Sequence, residues 1–325
     1  MVDNLKVYFS TFYENFFGFG LRISPVYLIA FALIGYLIYR LRKIEAPFLP
    51  WLLPSKMLFS DSSKTDMKLF IIGRLLSISG FLGAISIRVI IAGAIFVALG
   101  GEVAKGNTSP LLVAFLLLLV SDFAVYWVHR LHHVHSVLWP FHSVHHSAEV
   151  LTPITVYRKH PLYDVLSQLV HSALIGGLQG FLLALVTSKI DFTLIASVNA
   201  FYFLFNILGS NFRHSHIWLS YGRVLEHILI SPAQHQIHHS LAVKHHNKNY
   251  GEVLAIWDWM FGTLYVPKSY EDLRFGLADR NGVLLPQPHQ GLWQSLIVPF
   301  QDSLRAIKIS MGSAKPKANS PPKDE

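Results

Sequence analysis

Long apolar runs alternate along the chain with mixed polar stretches. Residues 23–39 are uncharged and apolar over a length that suits a short spanning helix. Arg40, Arg42 and Lys43 follow at once and mark that end as cytoplasmic. Residues 46–66 contain Pro47, Pro50 and Pro54 and read as a connector. The next run, 69–99, is broken by Arg74 and Arg88, which puts its span at 81–99. After a turn at 100–110, residues 111–128 form the clearest span, and 165–186 and 192–208 follow. The pattern predicts an all-α integral membrane protein with about four to five transmembrane helices. It divides into an N-terminal membrane region, 1–110, a second region, 111–310, and a disordered tail rich in Lys, Pro, Ser and Asn, 311–325.

Composition supports this. Hydrophobic residues make up 52% and charged residues 14%, against about 25% charged in an average soluble protein. The first twenty residues are aromatic and lack a basic start, so no cleaved signal peptide is expected. The absence of Cys removes disulfides, thiolate metal sites and Cys nucleophiles. A net charge of +8 would ordinarily raise nucleic acid as a partner. Here the Lys and Arg residues gather in segments that five spans place on one side, while the two opposite turns carry only Lys105 and Lys189. The charge is therefore positive-inside, and no nucleic-acid partner is expected. The predicted protein is multi-pass, with 40–80, 129–164 and 209–325 on the cytoplasmic face.

The unusual feature is histidine. Of 18 His, 17 lie between His129 and His246, and all of those but His171 fall on the predicted cytoplasmic side. Asp122, Tyr126, His129 and His133 are spaced to share one helical face. Two His at i and i+4 can chelate one ion, and Asp122 could orient an imidazole from behind. His142, His145 and His146 follow Pro140 at i, i+3, i+4, and His235, His238 and His239 repeat that spacing. Ser231 can cap the second of these helices, with Pro232 in its first position. His214 and His216, two residues apart, suit a helix end. Neutral imidazole binds Zn, Cu, Fe and Ni, and eight or more ligands exceed one four-coordinate ion, so two metals are implied. His171 and His289 read as ordinary hydrogen-bonded histidines, and Tyr126, Trp127, Trp257 and Trp259 as interface aromatics in preference to pocket-lining ones.

The chain has no H-E-x-x-H protease motif and no E-x-x-H carboxylate di-iron motif. A His-rich metal transporter would need polar residues along its spans. Few stand there, Arg88, His171 and Asn199 among them. A non-catalytic lipid-binding homologue would be expected to have eroded His boxes. The residues alone allow, without compelling, an all-nitrogen di-metal site that turns O2 on a lipid.

Between about residues 121 and 266 the sequence resembles the fatty acid hydroxylase superfamily of sterol desaturases and lipid hydroxylases. The resemblance rests on DFAVYWVHRLHH, FHSVHHS, RKHP at 158–161, NFRHSHI, SPAQHQIHHS, NKNYG and WDWMFGT. It implies a non-haem di-iron oxygenase that hydroxylates or desaturates a sterol, fatty acyl chain, sphingolipid or ether lipid. Two iron ions (Fe2+/Fe3+) would be the cofactor and O2 the co-substrate. A separate ferredoxin, cytochrome b5 or reductase would supply electrons. The resemblance carries the metal ligands onto His129, His133, His142, His145, His146, His214, His235, His238 and His239. His216 and His245 are implied as further ligands or as residues behind them. His132 lies off the boxed position, and His160 follows Arg158 in a positioning element with a metal role open to it. Asn247 stands where the family often has Asp, which removes a carboxylate from behind the imidazoles. Neither the lipid nor the oligomeric state follows from the sequence.

Overall fold

The computed structural model describes residues 10, 12–14, 16–18, 20–84, 87–100, 109–186 and 201–313. Among these residues the structure is helical, with three isolated β-bridges and no strand. The first long helix, α1 (Pro25–Leu41), has Pro at its start, where the missing N–H costs no hydrogen bond. It packs through Phe31 and Ile38 against Leu52, Phe212 and Ile217. α2 (Asp61–Ile78) begins inside the expected connector, where the Ser60 side chain accepts a hydrogen bond from the Ser63 N–H. Residues 61–66 are therefore its first turns, a local cap having outweighed the nearby prolines.

Among the described residues, three segments are long and apolar enough to cross a membrane: Phe81–Ala98, Leu111–Val134 and Pro161–Leu185. The first includes helix α3 (Arg88–Ala98). The second is helix α4 (Pro110–Val134), which continues past the expected end of its span and carries the first histidines in its last turns. The third lies in α6 (Pro161–Val186). With the apolar 17-residue α1 beside them, they give a helical membrane protein. Most of the expected span at 192–208 and of the expected tail at 311–325 lies outside the described residues. Residues 201–205 are helical and lead into a π-helical turn, Asn206–Ser210.

Gly176 and Gly180 let α6 approach α3 closely. A Cβ on Gly180 would sit 2.5 Å from the Ala92 carbonyl oxygen, and one on Gly176 2.7 Å from that of Arg88. Small residues four apart bring two backbones together where there is no hydrophobic drive between helices in lipid. Phe96, Val113, Ala114, Leu117, Leu183 and Ala184 form the core that joins α3, α4 and α6. Below these spans, α5 (Trp139–His146), α7 (Pro232–His238), α8 (Ile256–Met260) and α9 (Leu292–Ser310) complete the polar half.

Candidate metal centre

Each histidine is positioned by a local device. His129 and His133 lie one turn apart on α4, and Pro140 opens α5 within its first two positions. Ser231 and Gln234 form a reciprocal capping box at the start of α7. His214 stands just past the short turn Asn211–Arg213, at a helix end as the spacing predicts. Gln236 holds that turn by donating to the carbonyls of Phe212, Ser215 and Ile217 at 2.8–3.0 Å.

The nine histidines of the expected ligand set lie in two groups. His129, His133, His142, His146 and His238 form one, and His145, His214, His235 and His239 the other. Within each group one nitrogen per ring lies within 4.8 Å of all the rest. The two H-x2-H-H motifs are shared reciprocally. His142 and His146 face the first group while His145 turns to the second. His235 and His239 face the second group while His238 turns to the first. The groups adjoin, with the rings of His146 and His239 stacked at 4.5 Å.

Five pairs of Nε2 atoms across the centre lie between 3.1 and 3.3 Å apart: His129–His142, His142–His146, His145–His214, His214–His235 and His235–His239. Two imidazoles bound to one ion at about 2.0–2.1 Å have nitrogens spaced in this way. Backbone carbonyls fix two tautomers. The Nδ1 atoms of His129 and His238 are each 2.8 Å from the carbonyl oxygens of Tyr250 and Lys248. A carbonyl can only accept, so Nδ1 carries the proton and Nε2 presents its lone pair to the centre. His238 Nε2 is buried without a hydrogen-bond partner. Such an orphan is costly unless something electropositive meets it. The residues present therefore fit a pair of metal ions.

Burial keeps these rings neutral. It pushes His142, His145, His146, His214, His235 and His238 well below the ordinary value of 6.5, reinforced by neighbouring imidazoles. His239 falls to about 3 for the same first reason. Neutral imidazole is the ligand form, so protons do not compete with metal near neutrality.

The expectation that Asp122 orients an imidazole is corrected. Its two oxygens accept from the N–H groups of Val253 and Leu254 and from the indole of Trp257, each at 3.0 Å. The carboxylate pins the loop after Tyr250, whose carbonyl in turn holds His129. Asp258 supports the same loop by accepting from the N–H groups of Tyr250 and Gly251 at 2.8 and 2.7 Å. Burial raises it to about 6 despite those bonds. Glu252, in the same loop, pairs with Arg22. Burial opposes its ionisation, but Arg22 and Arg213 hold it at about 2.

Four other candidates lie outside both groups. His132 Nδ1 bonds the Val128 carbonyl on its own helix at 2.8 Å. His160 uses both nitrogens, Nε2 on the Leu296 carbonyl and Nδ1 on the Leu162 N–H, each at 3.0 Å. No lone pair remains for a metal. His216 bonds the Trp51 carbonyl at 2.8 Å, and His245 lies 3.1 Å from Glu271. Of the aromatics, Trp259 is exposed, whereas Tyr126 is fully buried against Phe261 and bonded to Thr263. Tyr126 is a packing residue, not an interface aromatic. Asn247 accepts from the Tyr250 hydroxyl at 2.9 Å and so ties the loop that holds His129.

Sequence reasoning missed two supports. The roles of the Tyr250 and Lys248 carbonyls could not be read from side chains, although NKNYG marked the place. The buried Arg158–Asp66 pair, at 2.8 Å, joins α2 to the end of α5. Arg158 also donates to the Val144 carbonyl and the Ser147 hydroxyl, each at 2.8 Å. RKHP pointed to Arg158 but not to its partner across 92 residues.

Residues 114–263 match the sequence model of the fatty acid hydroxylase family. The chain is 34% identical over 164 residues to alkylglycerol monooxygenase of Danio rerio, covering 50% of this chain and 32% of that protein. It is 32% identical over 163 residues to ornithine lipid hydroxylase OlsE of Rhizobium tropici, covering 50% and 45%. It is 31% identical over 169 residues to a putative Delta(7)-sterol-C5(6)-desaturase of Arabidopsis thaliana, covering 50% and 51%. The chain thus spans about a third to a half of the length of these relatives. No solved structure matches.

Proposed function

From the match of residues 114–263 to the fatty acid hydroxylase family, we propose that the chain is a member of that superfamily, a membrane-bound non-haem di-iron oxygenase that hydroxylates or desaturates a lipid. The observation that supports this most is the reciprocal sharing of the two H-x2-H-H motifs, which makes two adjoining all-nitrogen sites from eight buried rings and the half-buried His129. The first group would hold one iron and the second group the other. Two irons held there and reduced by a separate donor would supply the electrons that activate O2 for attack on an unactivated C–H bond.

The chain's own contribution is geometry and dryness. The Tyr250 and Lys248 carbonyls keep the Nδ1 protons of His129 and His238 and aim the Nε2 lone pairs inward. Asp122 and Asp258 keep that loop in register. Trp139 stands 5.1 Å from His133 and 5.6 Å from His146 and covers the first group with apolar surface. His129 and His133 lie in the last turns of an apolar helix. A lipid reaching the centre sideways from the bilayer would therefore not have to leave it. The positive-inside pattern supports a cytoplasmic position for this face, where a separate donor such as a ferredoxin, cytochrome b5 or reductase would deliver electrons. In this reading residues 111–310 are the catalytic region and 1–110 the accessory membrane region.

The test is metal content and O2-dependent turnover on one purified sample, with a lipid extract, a reductase system and mass spectrometry. A product gaining one oxygen marks a hydroxylase, and one losing two hydrogens a desaturase. Protein that cannot be loaded with iron, or loaded protein whose His142→Ala and His238→Ala variants lose none, refutes the reading.

A further inference from the structure

Helix α9 is amphipathic in the inverted sense. The exposed large residues of the helix and its C-cap are Trp293, Ile297, Phe300, Leu304, Ile307 and Met311, spaced 4, 3, 4, 3 and 4. At about 100° per residue these fall in one narrow stripe along the helix. The residues it buries against the protein are Ser295, Pro299 and Ser303. A helix at an ordinary water-facing surface would bury the other face. Trp293 is 71% exposed and Met311 73%, so the stripe is open at both ends. Gln294, Gln301 and Lys308 are exposed along one flank.

Two hydrogen bonds fix the level at which α9 lies. The Leu296 carbonyl accepts from Nε2 of His160, the residue just before α6. The Ser303 hydroxyl donates to the carbonyl of Val137, three residues beyond the end of α4, at 2.9 Å. The helix therefore crosses between the feet of two apolar helices, where the lipid-facing surface of the spans ends. Lys308, exposed at one edge, complements anionic headgroups.

We propose that α9 is an interfacial anchor, lying in the headgroup region of the leaflet on the metal-centre side with its stripe inserted among the acyl chains. It would fix the depth of α5, whose Phe141 packs on Phe300 at 5.4 Å. The proposal rests on the membrane-spanning assignment and not on the chemistry of the metal centre.

The chain has no Cys, so single-Cys variants take a nitroxide label without background. Ile297→Cys, Leu304→Cys and Gln301→Cys would be labelled in lipid nanodiscs. Phe181→Cys, on the exposed face of α6, serves as the spanning reference. Power saturation with O2 and with a water-soluble nickel chelate reads the environment. The expected result is an O2-to-nickel accessibility ratio at Ile297 and Leu304 several-fold above that at Gln301 and close to that at Phe181. Equal ratios at Ile297, Leu304 and Gln301 would overturn the anchor. So would labels at Ile297 and Leu304 that are shielded from both reagents and broadened by spin–spin coupling, since a second copy would then cover the stripe. A nickel-accessible Phe181 label would refute the spanning assignment itself, and the anchor with it.

Discussion

Replacing Asp122 by Ala tests whether the metal centre depends on a loop that carries no ligand. The substitution removes three hydrogen bonds of 3.0 Å, two of them from the N–H groups of Val253 and Leu254. Each buried N–H left without an acceptor costs about 1–3 kcal/mol, so a loop that cannot relax loses about 2–6 kcal/mol. A loop that relaxes draws the Tyr250 carbonyl away from His129 Nδ1. Loss of such a support typically weakens metal binding by about 10–100-fold. The damage should be one-sided, because His129 belongs to the group of five and the group of four does not contain it. The assay is metal per chain by elemental analysis after dialysis against a weak chelator, paired with thermal unfolding in detergent. The expected result is a fall from about two ions per chain towards one, with a lowered unfolding temperature. Trp257→Phe, which removes one of the three bonds, should give a small fraction of both effects. An Asp122→Ala protein that keeps both ions and the parent unfolding temperature would refute the coupling of loop to centre.

His238→Ala and His235→Ala should each lower metal content by about one ion, but from different groups. Their double variant should bind almost none, and a double variant no worse than either single one would refute the two-site division. Arg158→Met leaves Asp66 buried without its partner, which typically costs about 3–5 kcal/mol. Unfolding should shift accordingly and be partly restored by adding Asp66→Asn, whereas an unchanged unfolding temperature would remove the pair from the scaffold. The metal-free protein should lose stability as pH falls. Histidines held below their ordinary 6.5 bind fewer protons folded than unfolded, so their contribution is complete above about pH 6.5 and declines towards the value of about 3 reached by His239. Asp258, raised to about 6, opposes this weakly, and a flat profile of unfolding temperature between pH 7 and 4 would contradict the burial of the rings. Gly180→Leu would force a Cβ within 2.5 Å of the Ala92 carbonyl and, like other overpacking, cost about 1–3 kcal/mol. Detergent-solubilised protein that unfolds at the parent temperature would deny the close approach of α3 and α6.

Much was legible in the sequence because the relevant physics is local. Apolar runs define spanning helices wherever no water can satisfy the backbone. The i, i+3, i+4 spacing puts imidazoles on one helical side whatever surrounds them. Ser231, Pro232 and Gln234 announce the start of α7 through capping that needs no tertiary contact. The same locality explains the errors. Asp122 shares a face with His129 and His133, so proximity along α4 suggested a partnership that the loop from 250 to 257 took instead. His160 looked available until α9 returned from 136 residues away to occupy its Nε2.

The sequence by itself determined the helical membrane character, the histidine set and the caps that aim it, since each depends on residues within a few positions of one another. Only the tertiary structure decided how nine rings divide into two groups. A ring three positions along a helix from another points away by roughly a sixth of a turn, and which group it joins depends on which helix packs opposite. His145 turns to His214, and His238 to His129, because α5 and α7 face each other with their H-x2-H-H motifs exchanged.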